Sequence, residues 1–285
     1  MTSSALENLQ RYMDLSLEQL QDAATKKDAC SALGVFLDQL EDGSIRTAYR
    51  DENGDWQVNE PVKKGILLGF KLGQIVPMGE KQVLPFYDKD TFPLQQFDLE
   101  KKIRIVPGGS SVRRGAFVAE HVTLMPPSYI NVGAFVDKNT MIDSHALVGS
   151  CAQVGKRVHL SAAAQIGGVL EPIGAVPVII EDDVFIGGNA GIYEGTIVRS
   201  LAVIAAGVIL TSSTQVFDLP NQQIIKAKPN AALEIPQRAV VGPGARPAKG
   251  DFAKSHGLCV STPIIVKYRD ERTDKKAALE QVLRS

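Results

Sequence analysis

One periodicity constrains this chain more than any other feature. Counting from Val112, residues Val118, Leu124, Ile130, Val136, Ile142, Val148, Val154, Leu160 and Ile166 recur every six positions. A second train runs Ile180, Ile186, Ile192, Val198, Ile204, Leu210 and Val216. Two residues before each stands something small or β-branched, from Ser110 and Ala116 through Val208 and Thr214. All seventeen hexads obey both rules.

A period of six is not helical, because 3.6 residues per turn would scatter these side chains around the axis. In a strand, positions i and i−2 share a face. Short strands that turn a corner every six residues would point both inward and stack like on like. The predicted architecture is therefore mainly β, a parallel β-helix over residues 106–235. Its interior is filled by Val, Ile, Leu and Ala, which leaves no room for a ligand. Any site must lie outside, at loops or between neighbouring chains. The trains fall out of phase between Ile166 and Ile180, fourteen residues apart, which reads as two hexads plus two extra residues. The Pro- and Gly-containing stretch Gly167 to Val178 suits a loop thrown out of the coil, a place where repeat folds put function.

Residues 1–105 predict a mixed, mostly helical α/β domain. Helical spacing runs through SSALENLQRYMDLSLEQLQDA and KKDACSALGVFLDQLEDG, the latter ending on Gly43, and VKKGILLGFKL follows Pro61. Between them IRTAYRDENGDWQV reads as a hairpin turning at Asn53-Gly54. Residues 236–285 predict a small cap with a strand, CVSTPIIVKYR, and a helix, TDKKAALEQVLR. Such flanks would cover the open strand edges at both ends of a prism.

Composition excludes several classes. With 31 basic and 32 acidic residues, no global field favours nucleic acid or a membrane surface. No apolar run approaches the roughly 20 residues that span a bilayer, and MTSSALENLQ has no secretory pattern. Cys30, Cys151 and Cys259 are widely spaced and odd in number, so they read as buried hydrophobes in a reducing, cytoplasmic setting.

The stretches YDKDTF, IRIVPG, VRRGAFVA, LMPPSYINVGAFVD, TMIDSHALVGSCAQVGKRVHLS, IGGVLEP and VIIEDDVFIG resemble the tetrahydrodipicolinate N-succinyltransferase family, over nearly the whole chain. The resemblance implies a left-handed, triangular coil of three hexads per turn, nearly six coils or roughly 27 Å at about 4.8 Å per strand. It implies a cytoplasmic homotrimer that moves succinyl from its coenzyme A thioester to the amine of ring-opened L-2-amino-6-oxopimelate, with no cofactor or metal. Asp143 resembles the family's catalytic carboxylate, and Arg104 the arginine that holds an acceptor carboxylate. Gly188, Ala205, Ala206 and Ser213 match positions whose backbone amides line the acyl-coenzyme A channel.

Departures shape the donor question. Many relatives carry Trp at His145 and at Pro61, and Ala-Arg-Ser-Glu where Gly188, Asn189, Ala190 and Gly191 stand here. Losing that arginine removes a partner for the distal succinyl carboxylate, for which Arg113, Arg114 and Lys156 are substitute candidates. An acetyl-coenzyme A-dependent enzyme of a specialised pathway, such as tabtoxin biosynthesis, is the alternative reading.

Chemically, acyl transfer from a thioester needs a neutral amine, a stabilised oxyanion and a dry channel. Asp143 would serve as base, if burial raises its pKa, or as a transient acyl acceptor. His145 is a second candidate base, since imidazole titrates near neutrality. A plain corner aspartate and a solvated histidine are the structural alternatives. A zinc site would need three converging histidines, but His121, His145 and His159 are spaced 24 and 14 apart. A non-catalytic scaffold would leave IGGVLEP and an outward Asp143 unexplained.

Overall fold

The structure is a computed structural model, described here for residues 4–79, 86–229 and 231–270. Its centre is a left-handed parallel β-helix of two- and three-residue strands. Registers fix the coil. Phe135 pairs with Phe117 on one side and Gln153 on the other, eighteen residues each way. Three sheets result, called faces A, B and C. Face A holds the strands ending at Leu124, Ile142, Leu160, Ile186 and Ile204; face B those ending at Ile130, Val148, Ile166, Ile192 and Leu210; face C those ending at Val118, Val136, Val154, Ile180 and Val198. The inward side chains on these strands, such as Ile142 and Leu160, are fully buried in one continuous apolar core. At about 1.5–3 kcal/mol for each buried Val, Leu or Ile, that column is the main stabilising term of the prism.

Each corner solves the same backbone problem. At most corners the third residue after an inward position lies in the left-handed region, as at Gly133, Asn139, His145, Cys151, Ala163, Asn189 and Gly207. Gly and Asn enter that region readily, but Ala163 and Cys151 do so at a cost of about 1–2 kcal/mol each. Gly187 answers a different need: a Cβ there would collide with the amide nitrogen of Ala206 in the next coil.

Three details differ from the hexad count. Gln153 pairs with Ile179, twenty-six residues on rather than eighteen, so the break is a single hexad step carrying eight extra residues. Val216 is buried, but its strand Val216–Asp218 leaves the prism to pair with Gln223–Ile225 and Cys259–Tyr268. The coil instead resumes at Leu233–Ile235 on face C and Ala239–Pro247 on face A, whose Ile235 and Val241 rejoin the core, so the prism continues past residue 235. Both departures are insertions that return to the same register, which a fixed period cannot reveal.

The N-terminal helices form as the sequence predicts: α1 Ser4–Met13, α2 Leu17–Gln21, α3 Ala23–Glu41 and α4 Glu60–Leu72. Ser16 and Gln19 cap α2 reciprocally, Asp22 caps α3, and Gly43 follows α3 at φ 78°. The hairpin pairs Ala48–Arg50 with Trp56–Val58 across Gly54. This domain does not sit on the end of the prism. Leu37 and Leu40 of α3 pack near Val132, Ile66 of α4 near Cys151, and Ala48 against Ile179 and Ile197, so it lies along face C and the adjoining B–C edge. The first coil is covered by the segment before it, where Gln95 N donates to Val112 O and Leu94 bridges Arg113. At the far end Cys259–Tyr268 pairs along Ala239–Pro247, and the helix expected over TDKKAALEQVLR lies outside the described residues.

The eight-residue excursion is held down. Val169 is buried, and Lys63 of α4, itself fully buried, donates from Nζ to Pro172 O (3.0 Å) and Ala175 O (2.9 Å). Of the cysteines only Cys151 is fully buried, its thiol pushed up to about 12 by burial; Cys30 is half-buried and Cys259 exposed, contrary to the expectation for both. Cys259 begins the outer strand of a projecting hairpin, where few side chains are covered.

Candidate active site

Five of the sequence-selected residues, Asp143, His145, Gly188, Ala205 and Ala206, share one edge of the prism, where the chain passes from face A to face B. Coil by coil this A–B edge reads Met125-Pro126-Pro127, Asp143-Ser144-His145, Ser161-Ala162-Ala163, Gly187-Gly188-Asn189 and Ala205-Ala206-Gly207. The ladder is explicit: Ala163 N donates to Ser144 O, Asn189 N to Ala162 O, and Gly207 N to Gly188 O. Asp143 therefore stands three coils from Ala205, roughly 14 Å at about 4.8 Å per coil.

Asp143 is half-buried, with its backbone N–H on Leu160 O. Its Oδ1 accepts the N–H of Ser144 at 2.7 Å, and Oδ2 has no partner among the described residues. Beyond it the edge is bare. Ala162, Gly188 and Ala206 occupy equivalent corner positions, and their N–H groups donate to no described residue. Small side chains with a row of open amides make an edge along which backbone can approach a ligand closely, the arrangement a polar, flexible thioester arm requires.

His145 is exposed at φ 62°, so it occupies a left-handed corner rather than a strand. Histidine is among the residues enriched in that conformation, so the corner accounts for its place without chemistry. His121 sits on the C–A edge and His159 on face A, where its ring packs 5.0 Å from Phe185. The three histidines thus stand in three different columns.

Arg104 opens face A. It is exposed, pairs with Thr123 one coil before Met141, and its guanidinium has no carboxylate partner among the described residues. It shares a sheet with Asp143, roughly 10 Å away along the prism axis at the same coil spacing. Ser213 does not join the group. It is exposed on the B–C edge after Leu210, bonded to Thr211 Oγ1 at 3.1 Å.

The cations offered as replacements for the missing arginine are occupied or elsewhere. Arg113 is buried, forks onto Asp88 (2.8 and 2.6 Å) and lies over the Phe70 and Phe92 rings. Arg114 reaches Asp38 (2.8 Å) and Glu41, pinning α3 to the first coil. Lys156 stands on the C–A edge, across face A from Asn189. Sequence distance alone suggested them; the Arg113 and Arg114 side chains face other partners, and Lys156 stands on another edge.

The sequence did not single out the chain's most connected carboxylate. Glu181 accepts from Trp56 Nε1 (3.0 Å), Arg50 (2.8 Å), Arg199 (3.0 Å) and both N–H and Oγ of Ser200 (3.0 Å each). Burial would push its pKa up, but these donors and the Arg50 charge outweigh that and hold it below the usual carboxylate range. It anchors the hairpin to face C.

A coil of hexads with a bare corner edge is the scaffold of a hexapeptide-repeat acyltransferase. Two family models match, one described as tetrahydrodipicolinate N-succinyltransferase N-terminal over residues 14–72, the other as hexapeptide repeat of succinyl-transferase over residues 177–212. A 2,3,4,5-tetrahydropyridine-2,6-dicarboxylate N-succinyltransferase of Nitrobacter hamburgensis is 42% identical over 92% of each chain. The protein so named in Polynucleobacter asymbioticus is 39% identical over 93% of each. The chain belongs to the tetrahydrodipicolinate N-succinyltransferase family. Likeness to a solved Campylobacter jejuni structure titled as a 2,3,4,5-tetrahydropyridine-2-carboxylate N-succinyltransferase is loose, with TM-score 0.44 and 15% identity over 87% of this chain and 64% of that one. Among the described residues no helix is long and apolar enough to cross a membrane.

Proposed function

We propose that this chain is an acyl-coenzyme A-dependent N-acyltransferase that moves succinyl from succinyl-coenzyme A to the amine of ring-opened L-2-amino-6-oxopimelate. Family membership over nine-tenths of the chain supports the reaction class and substrate. The observation that carries the site is Asp143, a carboxylate with one oxygen unengaged at the head of an edge of open amides. In this reading the thioester arm lies along Gly188, Ala205 and Ala206, and Arg104 holds an acceptor carboxylate as a planar fork. Asp143 takes the proton from the attacking amine as the thiolate leaves, or carries the acyl group transiently. His145, beside it at the corner, is a second base candidate. No metal or bound cofactor enters this scheme.

A homotrimer completes the proposal. Face C is covered by the N-terminal domain, but face A shows half-buried Met141, Phe185 and Val203 and face B shows Tyr129, Leu147 and Ile209. Two adjacent apolar faces on one prism suit association with two copies around a threefold axis. Sedimentation of an active monomer would contradict it.

The test of the reaction is thiol release with the acceptor and either donor. Succinyl-coenzyme A should have the higher kcat/KM, by a margin narrowed about ten- to a hundredfold relative to Arg-containing relatives, since a charge-assisted hydrogen bond contributes about 1.5–3 kcal/mol. A ratio favouring acetyl would instead support the specialised acetyltransferase, which the relatives' names do not.

A further inference from the structure

Arg46 is the anomaly of the C–A side. Its guanidinium carbon lies 3.6 Å from the centre of the Phe135 ring and 5.6 Å from that of Trp56. Nε donates to Gln153 Oε1 at 2.9 Å, and Gln153 is itself locked by donating to Thr47 Oγ1 (2.8 Å) and Cys151 O (2.9 Å). Burial lowers its pKa to about 10. A half-buried guanidinium stacked on a ring is commonly matched by a carboxylate. Arg50, Arg113, Arg114, Arg157 and Arg199 all have one. Arg46 has none, and its two Nη groups donate to no described residue.

Beside it is a cleft of about 230 Å³ walled by Trp56, which shares Arg46, Arg50 and Trp56 with a larger cleft of about 890 Å³ under the hairpin. Glu181 and Arg50 on its wall satisfy each other. Asp182 spends Oδ1 on the Lys156 N–H and has Oδ2 3.9 Å from Arg157 Nη2, so what remains unmatched is Arg46 and Lys156 against Asp137, which spends only Oδ1, on the Lys138 N–H. Two carboxylates on the wall disfavour a polyanion such as a phosphate. A ligand that brings one negative and one positive pole is complementary to both.

We propose that this cleft binds a small α-amino acid with an apolar side chain, its carboxylate forked on Arg46 and its ammonium on Asp137. The site lies on a different edge of the prism from Asp143 and does not rest on the acyl-transfer reading. A preorganised planar guanidinium suits a carboxylate, Asp137 suits an ammonium, and the Trp56 ring suits the apolar side chain.

Trp56 is the chain's only tryptophan, so its emission reports occupancy directly. The intact protein would be titrated with L-norleucine, then with hexanoate and with pentylamine, each of which lacks one pole. A saturable emission change with norleucine, at least about tenfold weaker with either single-pole probe, is expected. Arg46→Lys keeps the charge but loses the fork and should weaken norleucine about tenfold or more. Asp137→Asn can still accept the Lys138 N–H, and should weaken norleucine while leaving hexanoate unchanged. Circular dichroism of each variant separates lost binding from lost folding. No saturable change in the wild type, an equal response to hexanoate, or unchanged norleucine affinity in both folded variants would overturn the proposal.

Discussion

Asp143 and Glu181 occupy the same place in the repeat, each one residue after an inward Ile on the turn out of a strand. Their surroundings are opposite. Glu181 is 7% exposed and accepts from five donors, whereas Asp143 accepts one N–H from its own turn and looks onto a bare edge. The repeat sets where a carboxylate stands, and its partners set what it does. A saturated carboxylate is a fastening. One left with an unengaged oxygen beside open amides is available for chemistry.

The largest effect expected from this contrast is at Asp143. Asp143→Asn keeps shape and the Ser144 contact, so turnover in thiol release should fall about a hundred- to ten-thousandfold, with melting temperature and assembly unchanged. Near-normal turnover would return Asp143 to the rank of turn residue.

Glu181→Gln should show the reverse. It leaves Arg50 and Arg199 without their shared carboxylate. Because Arg50 is half exposed and water screens part of the loss, about 2–4 kcal/mol of stability should go. Thermal unfolding should drop by roughly 5–15 °C, with kcat within a few-fold of the wild type. The pH dependence has a definite sign. The folded pKa lies below the unfolded one, so Glu181's contribution is full above the unfolded carboxylate range and is lost as pH falls through the folded value. The mutant should therefore lose less stability than the wild type on acidification below about pH 4.5. A parallel acid profile would break the contrast.

Two smaller effects sharpen it. Lys63→Met leaves Ala175 O unpaired and Pro172 O with the Ala175 N–H alone, and should cost about 1–3 kcal/mol in denaturant unfolding. An unchanged midpoint would mean water replaces the ammonium. Ala206→Leu places bulk on the exposed edge without entering the core, and should raise KM for the acyl-coenzyme A about tenfold with kcat little changed. The same substitution at Ser213, on the other edge, should do neither; equal effects would move the donor off the A–B edge.

The prism was legible because its signal is local and repeated. Ile142 and Leu160 obey one rule wherever they fall, so register, interior and corners follow from spacing. Asp143, Gly188 and Ala206 inherit a shared edge from that spacing, since corner positions eighteen residues apart stack. The eight-residue excursion preserves this column by returning to register, which counting in sixes misread. Glu181, Arg46 and Lys63 could not be found this way. Trp56 meets Glu181 across 125 residues, Arg46 meets Gln153 across 107 and Lys63 meets Pro172 across 109, pairings that exist only once the N-terminal domain lies along the prism. For the same reason Arg113 and Arg114 looked available in the sequence and are spoken for in the fold.

The central claim, that the donor lies along the bare A–B edge, is tested most directly by amide hydrogen exchange with and without coenzyme A. Protection should appear at residues 187–189 and 205–207 and be absent at 181–183 and 199–201 around Glu181. Protection confined to the Glu181 side, with none along Gly188 and Ala206, would contradict the account.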